Sequence, residues 1–323
     1  MFNAESAYTA AVENEELNYP NLSYIEETGA IHLDSTAPPH DYSKDYFTIV
    51  SLEDNNDITW NRSTTLLYIT NVSASTDGGQ TWVEKSVGGT SNSLATLNTG
   101  DKLLIKSTLS PNSSDGIGRI AATKQFTVEG NSMSLLFGDN FTGQTSLDNK
   151  GYCYQSMFNG CSGLTSAENL ILPATTLNIY CYYNMFSDCT SLTKPPKLPA
   201  TALKNYCYYQ MFYGCTSLTT APKLPATTLT GFCYGPMFSG CTSLTTAPDL
   251  PATRLEECCY TYMFKDCSSL NYIKCLATDV SARNCLIDWV NGVAATGTFV
   301  KAQGATIPAG TSGIPNGWTV QEV

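Results

Sequence analysis

The sequence predicts a mainly β protein with short helices: an N-terminal extended arm, an antiparallel β-sandwich and a C-terminal leucine-rich-repeat solenoid with a helical and strand cap. Three observations carry this expectation. A unit reading approximately Cys-Tyr-x-x-Met-Phe-x-x-Cys-x-Ser-Leu-Thr-x-Ala-Pro-x-Leu-Pro-Ala-Thr-x-Leu recurs five times, its second cysteine falling at Cys161, Cys189, Cys215, Cys241 and Cys267. A fixed period in the twenties is the mark of a leucine-rich-repeat array, in which neighbouring units must stack to bury one core. Ahead of it lie short alternating strands with turn residues between them, and ahead of those an acidic segment.

Residues 1–45 read as the arm. Nine carboxylates (Glu5, Glu13, Glu15, Glu16, Glu26, Glu27, Asp34, Asp41 and Asp45) stand against Lys44, which is −8 of the chain's formal −11. Such a segment stays disordered or gains order on a basic partner surface. Within it Tyr19, Pro20, Leu22, Tyr24 and Ile25 are the candidate anchor, able to add one short strand to another protein, and 37–40 is a linker signal.

Residues 46–145 contain the runs 46–50, 66–70, 81–83, 103–106 and 125–128, separated by Asp, Asn, Gly and Ser turn chemistry at sandwich-like spacing. Inside this region Ser75-Thr76-Asp77-Gly78-Gly79-Gln80-Thr81-Trp82 resembles the Asp-box of sialidases, a motif that stabilises a β-hairpin away from the chemistry. A single copy and four arginines in the whole chain favour a plain hairpin turn with Trp82 packed beneath it.

Residues 146–278 hold the five repeats. Placed on a helix at about 100° per residue, the invariant positions of Cys-Tyr-x-x-Met-Phe-x-x-Cys share one arc of about 140° and the variable positions fall outside it. The comparison of copies thus separates a core stripe from a display stripe. Leu164, Leu192, Leu218, Leu244 and Leu270 then enter the core, and the Ala-Pro-x-Leu-Pro-Ala-Thr stretch is expected to supply a parallel strand kept short by its prolines. Residues 279–323 read as the cap, with an amphipathic helix over 281–290 and a Gly- and Pro-rich tail.

All 13 cysteines lie between Cys153 and Cys285. An odd number inside a strict repeat reads as a small apolar core residue, although stacked cysteines in adjacent coils come near disulfide distance. The two histidines, His32 and His40, sit in the arm, so no Ser-His or Cys-His nucleophile can be assembled on the repeats, and no metal or cofactor site is expected. The repeat carboxylates Glu168, Asp188, Asp249, Glu256, Glu257 and Asp266 change place from copy to copy, as solvated positions do. A glycan-active enzyme is the remotest of the three functional readings.

The display stripe carries Gln155, Tyr183, Asn184, Tyr209, Gln210, Tyr213, Thr261 and Tyr262. Tyrosine beside amides suits a glycan, the ring covering sugar C–H faces while the amides bond hydroxyls, and the same rings also serve simply to shield a coil. Net acidity argues against nucleic acid, and no apolar run approaches the roughly 18 residues of a membrane span.

The element Met211-Phe212-Tyr213-Gly214-Cys215-Thr216-Ser217-Leu218, followed by Leu-Pro-Ala-Thr, is similar to the Ala-Phe-x-x-Cys-x-x-Leu and Ile-Pro units of BspA-type (treponemal-type) leucine-rich repeats, with Met in place of Ala. The layout of acidic arm, sandwich and coils resembles proteins encoded by Bacteroides and their gut phages, including crAss-like phages. That resemblance implies a virion fibre or decoration protein of head or tail. It would be a dimer or trimer, bound to capsid or tail proteins through residues 1–45 and to a bacterial surface glycan or protein receptor through the solenoid. A bacterial surface adhesin is the alternative. The opening Met-Phe-Asn-Ala-Glu-Ser-Ala-Tyr has neither a basic leader nor a secretory apolar segment, which favours a virion component made in the host cytoplasm.

Overall fold

The computed structural model describes residues 40–61, 71–88, 92–107 and 116–323, together with the backbone of 22–25 and 30–33. The chain divides into two compact units, Met1–Tyr42 and Ser43–Val323. In the first, β1 (Leu22–Ile25) and β2 (Ala30–Leu33) form an antiparallel pair with Leu22 opposite Leu33. The candidate anchor residues Leu22, Tyr24 and Ile25 therefore lie on a strand, while Tyr19 and Pro20 fall outside the described residues.

The second unit is mainly β. Its N-terminal part contains β3 (Phe47–Ser51), β4 (Asn56–Asn61), β5 (Asn71–Ser75), β6 (Val83–Ser86), β7 (Asn92–Leu97), β8 (Lys102–Lys106), β9 (Arg119–Ala122) and β10 (Phe126–Asn131). One single-turn helix, α1 (Ser134–Phe137), is the only α-helix among the described residues. β11 (Leu164–Ile171) completes a six-stranded sheet in the order β11-β10-β3-β8-β5-β6, and β7-β4-β9 form a second sheet. Ile58 and Trp60 of β4 are buried in the hydrophobic core while Asp57 stays exposed, the alternation of a half-buried strand. The predicted run at 66–70 lies outside the described residues.

β10 pairs antiparallel with β3 on one edge and parallel with β11 on the other, Phe126 opposite Leu164. The sheet thus runs directly into the first repeat. Ile117 N–H donates to Cys153 O at 2.9 Å and Ile120 N–H to Met157 O at 2.8 Å, so the same region also covers the repeat's other wall.

Short helices were expected for the Cys-Tyr-x-x-Met-Phe segments, and the structure corrects this. Each segment is a run of turns with left-handed residues spaced by four, Tyr152, Ser156 and Gly160 in the first copy and Tyr206, Gln210 and Gly214 in the third, the fourth copy keeping Phe232 and Gly240 but carrying Pro236 at the middle place. Alternate N–H groups close four-residue turns, as Met211 to Tyr208 O at 3.2 Å, and the others reach the next coil, as Phe212 to Met237 O at 2.9 Å. Residues with positive φ interrupt right-handed winding, and the i→i−4 bonds of a helix never form. Over nine residues a period of four and a period of 3.6 put nearly the same side chains inward, which is why periodicity pointed to a helix.

The predicted helical cap over 281–290 is corrected in the same way. Asn284, Asp288 and Gly292 repeat the left-handed spacing, and Tyr260 N–H donates to Cys285 O at 3.1 Å and Phe264 N–H to Trp289 O at 2.8 Å. This segment is a sixth coil, with Leu286, Trp289 and Val290 where the others carry Tyr, Met and Phe.

Strands appear on the opposite wall only where proline is absent. β11, β12 (Tyr272–Cys275), β13 (Thr298–Lys301) and β14 (Thr319–Glu322) contain none, and the last three form a parallel sheet. The corresponding segments 194–199, 220–225 and 246–251 each hold two or more prolines and make at most isolated bridges, such as Leu250 to Cys275. Proline has no N–H to give to a ladder.

Two aromatic columns fill the interior. Tyr154, Tyr182, Tyr208, Tyr234 and Tyr260 stack at centroid spacings from 5.4 Å to 6.2 Å. Phe158, Phe186, Phe212, Phe238 and Phe264 stack at 5.3 to 5.7 Å. Trp289 meets the last ring of both columns, and its indole N–H donates to Gly313 O at 2.8 Å.

Candidate recognition surface

The left-handed residue every fourth position sends two side chains in and two out, so each coil displays a short outer row. Two aromatic ladders run along it. In the first, Tyr152, Tyr180, Tyr206 and Phe232 stack at 4.7, 4.7 and 4.5 Å with planes within 12° of parallel. In the second, Tyr183 and Tyr209 stack at 5.3 Å and 3°. The Tyr209 ring then leans over Gly235, where a Cβ would come within 2.7 Å of Cδ2.

The predicted display residues occupy this surface unevenly. Tyr213 and Tyr262 are exposed, whereas Gln155, Tyr183, Asn184, Tyr209, Gln210 and Thr261 are half-buried. Asn184 and Gln210 are left-handed residues of their runs, and Gln155 Oε1 and Asn184 Oδ1 are buried without a protein donor. Burial raises the phenol pKa of Tyr183 and of Tyr209 above the ordinary value. The first ladder was not anticipated, although its signal was present: an aromatic residue stands immediately before the first Cys in four consecutive copies.

The stacking changes what these rings can do. Inside a ladder each ring face is covered by its neighbour, so the ladder offers edges and hydroxyl groups to solvent. A face is available only where a ladder ends.

Apart from Cys258, which holds the first ladder's place in the fifth copy, the cysteines lie off this surface. All thirteen are free and buried, and desolvation pushes Cys161 and Cys267 up to about 12 and Cys275 to about 11. Thiols held neutral are poor nucleophiles. Among the described residues no group of three or more His, Cys, Asp and Glu side chains is placed to hold a metal ion, and no helix is long and apolar enough to cross a membrane.

The Asp-box-like segment forms the β5–β6 hairpin turn. Ser75 Oγ donates to Asp77 Oδ1 at 2.7 Å, Thr81 N–H donates to the same oxygen at 2.9 Å, and Gly78 and Gly79 take positive φ. The Thr81 hydroxyl, which donates to Asp77 Oδ2 at 2.5 Å, together with these donors holds the Asp77 carboxyl well below the usual carboxylate range. Trp82 packs edge-on to Tyr46 at 4.9 Å with Lys106 Nζ 4.1 Å from its ring centre, an arrangement fully occupied by structure.

No family model matches the chain, and neither a curated protein nor a solved structure does.

Proposed function

We propose that this chain is a non-enzymatic virion structural protein, a head or tail fibre or decoration protein that presents a recognition surface to the host cell. In this reading residues 146–278 are a BspA-type leucine-rich-repeat solenoid, residues 46–145 a β-sandwich spacer, and residues 1–45 the attachment to capsid or tail proteins. The carrying observation is the pair of outer tyrosine ladders, Tyr180–Tyr206 and Tyr183–Tyr209, with Asn184 and Gln210 beside them. Rigid, pre-stacked phenols with adjacent amides bind hydroxyl-rich ligands at small entropic cost, which suits a bacterial surface glycan. The acidity of residues 1–45 supports the attachment role, because an acidic segment that orders on a basic partner acts as a tether.

The experiment is mass spectrometry of purified particles combined with immunogold imaging of the chain. Detection on a bacterial cell envelope and not on particles would replace this reading with the surface adhesin, which the resemblance of the coils to BspA-type repeats also accommodates. On particles, removal of residues 1–42 should abolish incorporation and leave Ser43–Val323 folded as its own unit. A triple Tyr183, Tyr209 and Tyr262 change to Ala should lower adsorption to host cells, and unchanged adsorption would remove the stripe from the reading.

A further inference from the structure

We infer that the sugar-stacking subsite lies at the step between the fourth and fifth coils, on the face of Phe232, and that its ligand is a single pyranose ring of the glycan. This deepens the glycan-binding reading and rests on it. The first outer ladder ends there. Phe232 is stacked on Tyr206 at 4.5 Å on one side, but the same place in the next coil is Cys258 and in the one after it Asn284. Register is set by the backbone: Phe232 N–H donates to Glu257 O at 3.0 Å, and Cys258 N–H to Arg283 O at 3.0 Å.

Cys258 is buried and carries no ring, so among the described residues Tyr206 is the only ring stacked on Phe232 and the ladder stops there. Around the step stand a carboxylate, a guanidinium and an amide. Glu257 and Arg283 are paired loosely at 3.5 Å with exposed side chains, and Asn284 is exposed. Pro236 in the same coil has no N–H, so the coil-to-coil rung that Asn184 and Gln210 make to Tyr209 O and Gly235 O is missing at this level. An aromatic face ringed by planar polar groups is the chemistry that holds a pyranose, C–H bonds against the ring and hydroxyls to the charged rim.

Tyr180 and Tyr206 are stacked on both faces, Tyr183 is stacked on Tyr209 on one, and Tyr209 lies over Gly235, so the first ladder ends at Tyr152 and Phe232; the exposed Glu257–Arg283 pair stands at the Phe232 end.

The test uses the full chain and a panel of methyl pyranosides and host-polysaccharide fragments, read by saturation-transfer NMR and calorimetry. The discriminating variant is Cys258→Tyr, which places at 258 the residue that occupies the same left-handed position at 152, 180 and 206 and so extends the ladder over the Phe232 face. It should fold as the parent does and bind the sugar at least about tenfold more weakly, with Arg283→Ala giving a smaller loss in the same direction. Parent-like affinity in Cys258→Tyr would overturn the subsite while leaving glycan binding in place. Failure of the parent chain to bind any member of the panel would overturn the subsite and the glycan reading together.

Discussion

The thiol of Cys189 donates to the carbonyl oxygen of Phe158 in the preceding coil, 3.1 Å away. The relation is repeated by Cys215 to Phe186 and Cys241 to Phe212 at 3.1 Å, and by Cys267 to Phe238 at 2.9 Å. Each of these cysteines therefore joins two coils without a disulfide. A residue that is small and apolar, yet carries a weak donor, fits a position that must both pack and satisfy a buried carbonyl.

Cys215→Val, which removes the donor and is larger by roughly a methyl group, should lower stability by about 0.5–1.5 kcal/mol, and Cys215→Ala by about 1–3 kcal/mol because a cavity is added. Urea unfolding of the two variants separates the terms. Equal midpoints for Val and the parent would mean that the thiol bond contributes nothing.

Stability should fall steeply in alkali. The unfolded thiols ionise near their ordinary 9.0, while in the folded chain Cys275 holds its proton to about 11 and Cys161 and Cys267 to about 12. A group whose folded pKa is raised contributes fully below the unfolded pKa and loses that contribution as pH rises toward the folded one. Each such thiol removes about 1.4 kcal/mol per pH unit in that window. The melting temperature should be level up to about pH 8.5 and then drop, with native thiols inert to aromatic disulfide reagents below the transition. A level profile through pH 10.5 would contradict the burial of the thiols.

Gly240 occupies the last left-handed place of the fourth run with φ of 77°, and a Cβ there would meet Gly214 Cα at 3.5 Å and its N at 3.6 Å, ordinary contacts. Space is thus adequate and backbone strain is the sole obstacle. Gly240→Ala should cost about 1–2 kcal/mol and Gly240→Asn distinctly less, since Asn tolerates this conformation. Equal costs for the two, measured by thermal unfolding, would rule out strain as the cause.

Trp289 closes both aromatic columns and is fully buried. Trp289→Ala should cost about 3–5 kcal/mol and loosen the last coils first, because a stacked array frays from an uncovered end. Hydrogen exchange should show the loss concentrated at 258–323. Uniform loss of protection from residue 146 onward would indicate that the coils unfold as one unit.

From sequence alone the 26-residue step, the inward Cys, Tyr, Met, Phe and Leu positions, the brevity of strands beside proline and the hairpin at Asp77 were all legible. They depend on composition and spacing, which a chain carries with it. The turn runs, the sixth coil and the covered faces of Tyr180, Tyr206 and Tyr183 were decided only by tertiary structure. The reason is physical: half the N–H groups of each run find their acceptor in the next coil, about 26 residues away, so no local pattern distinguishes that run from a helix. Whether a tyrosine shows a face or an edge likewise depends on the ring above it, and at Phe232 on the absence of one.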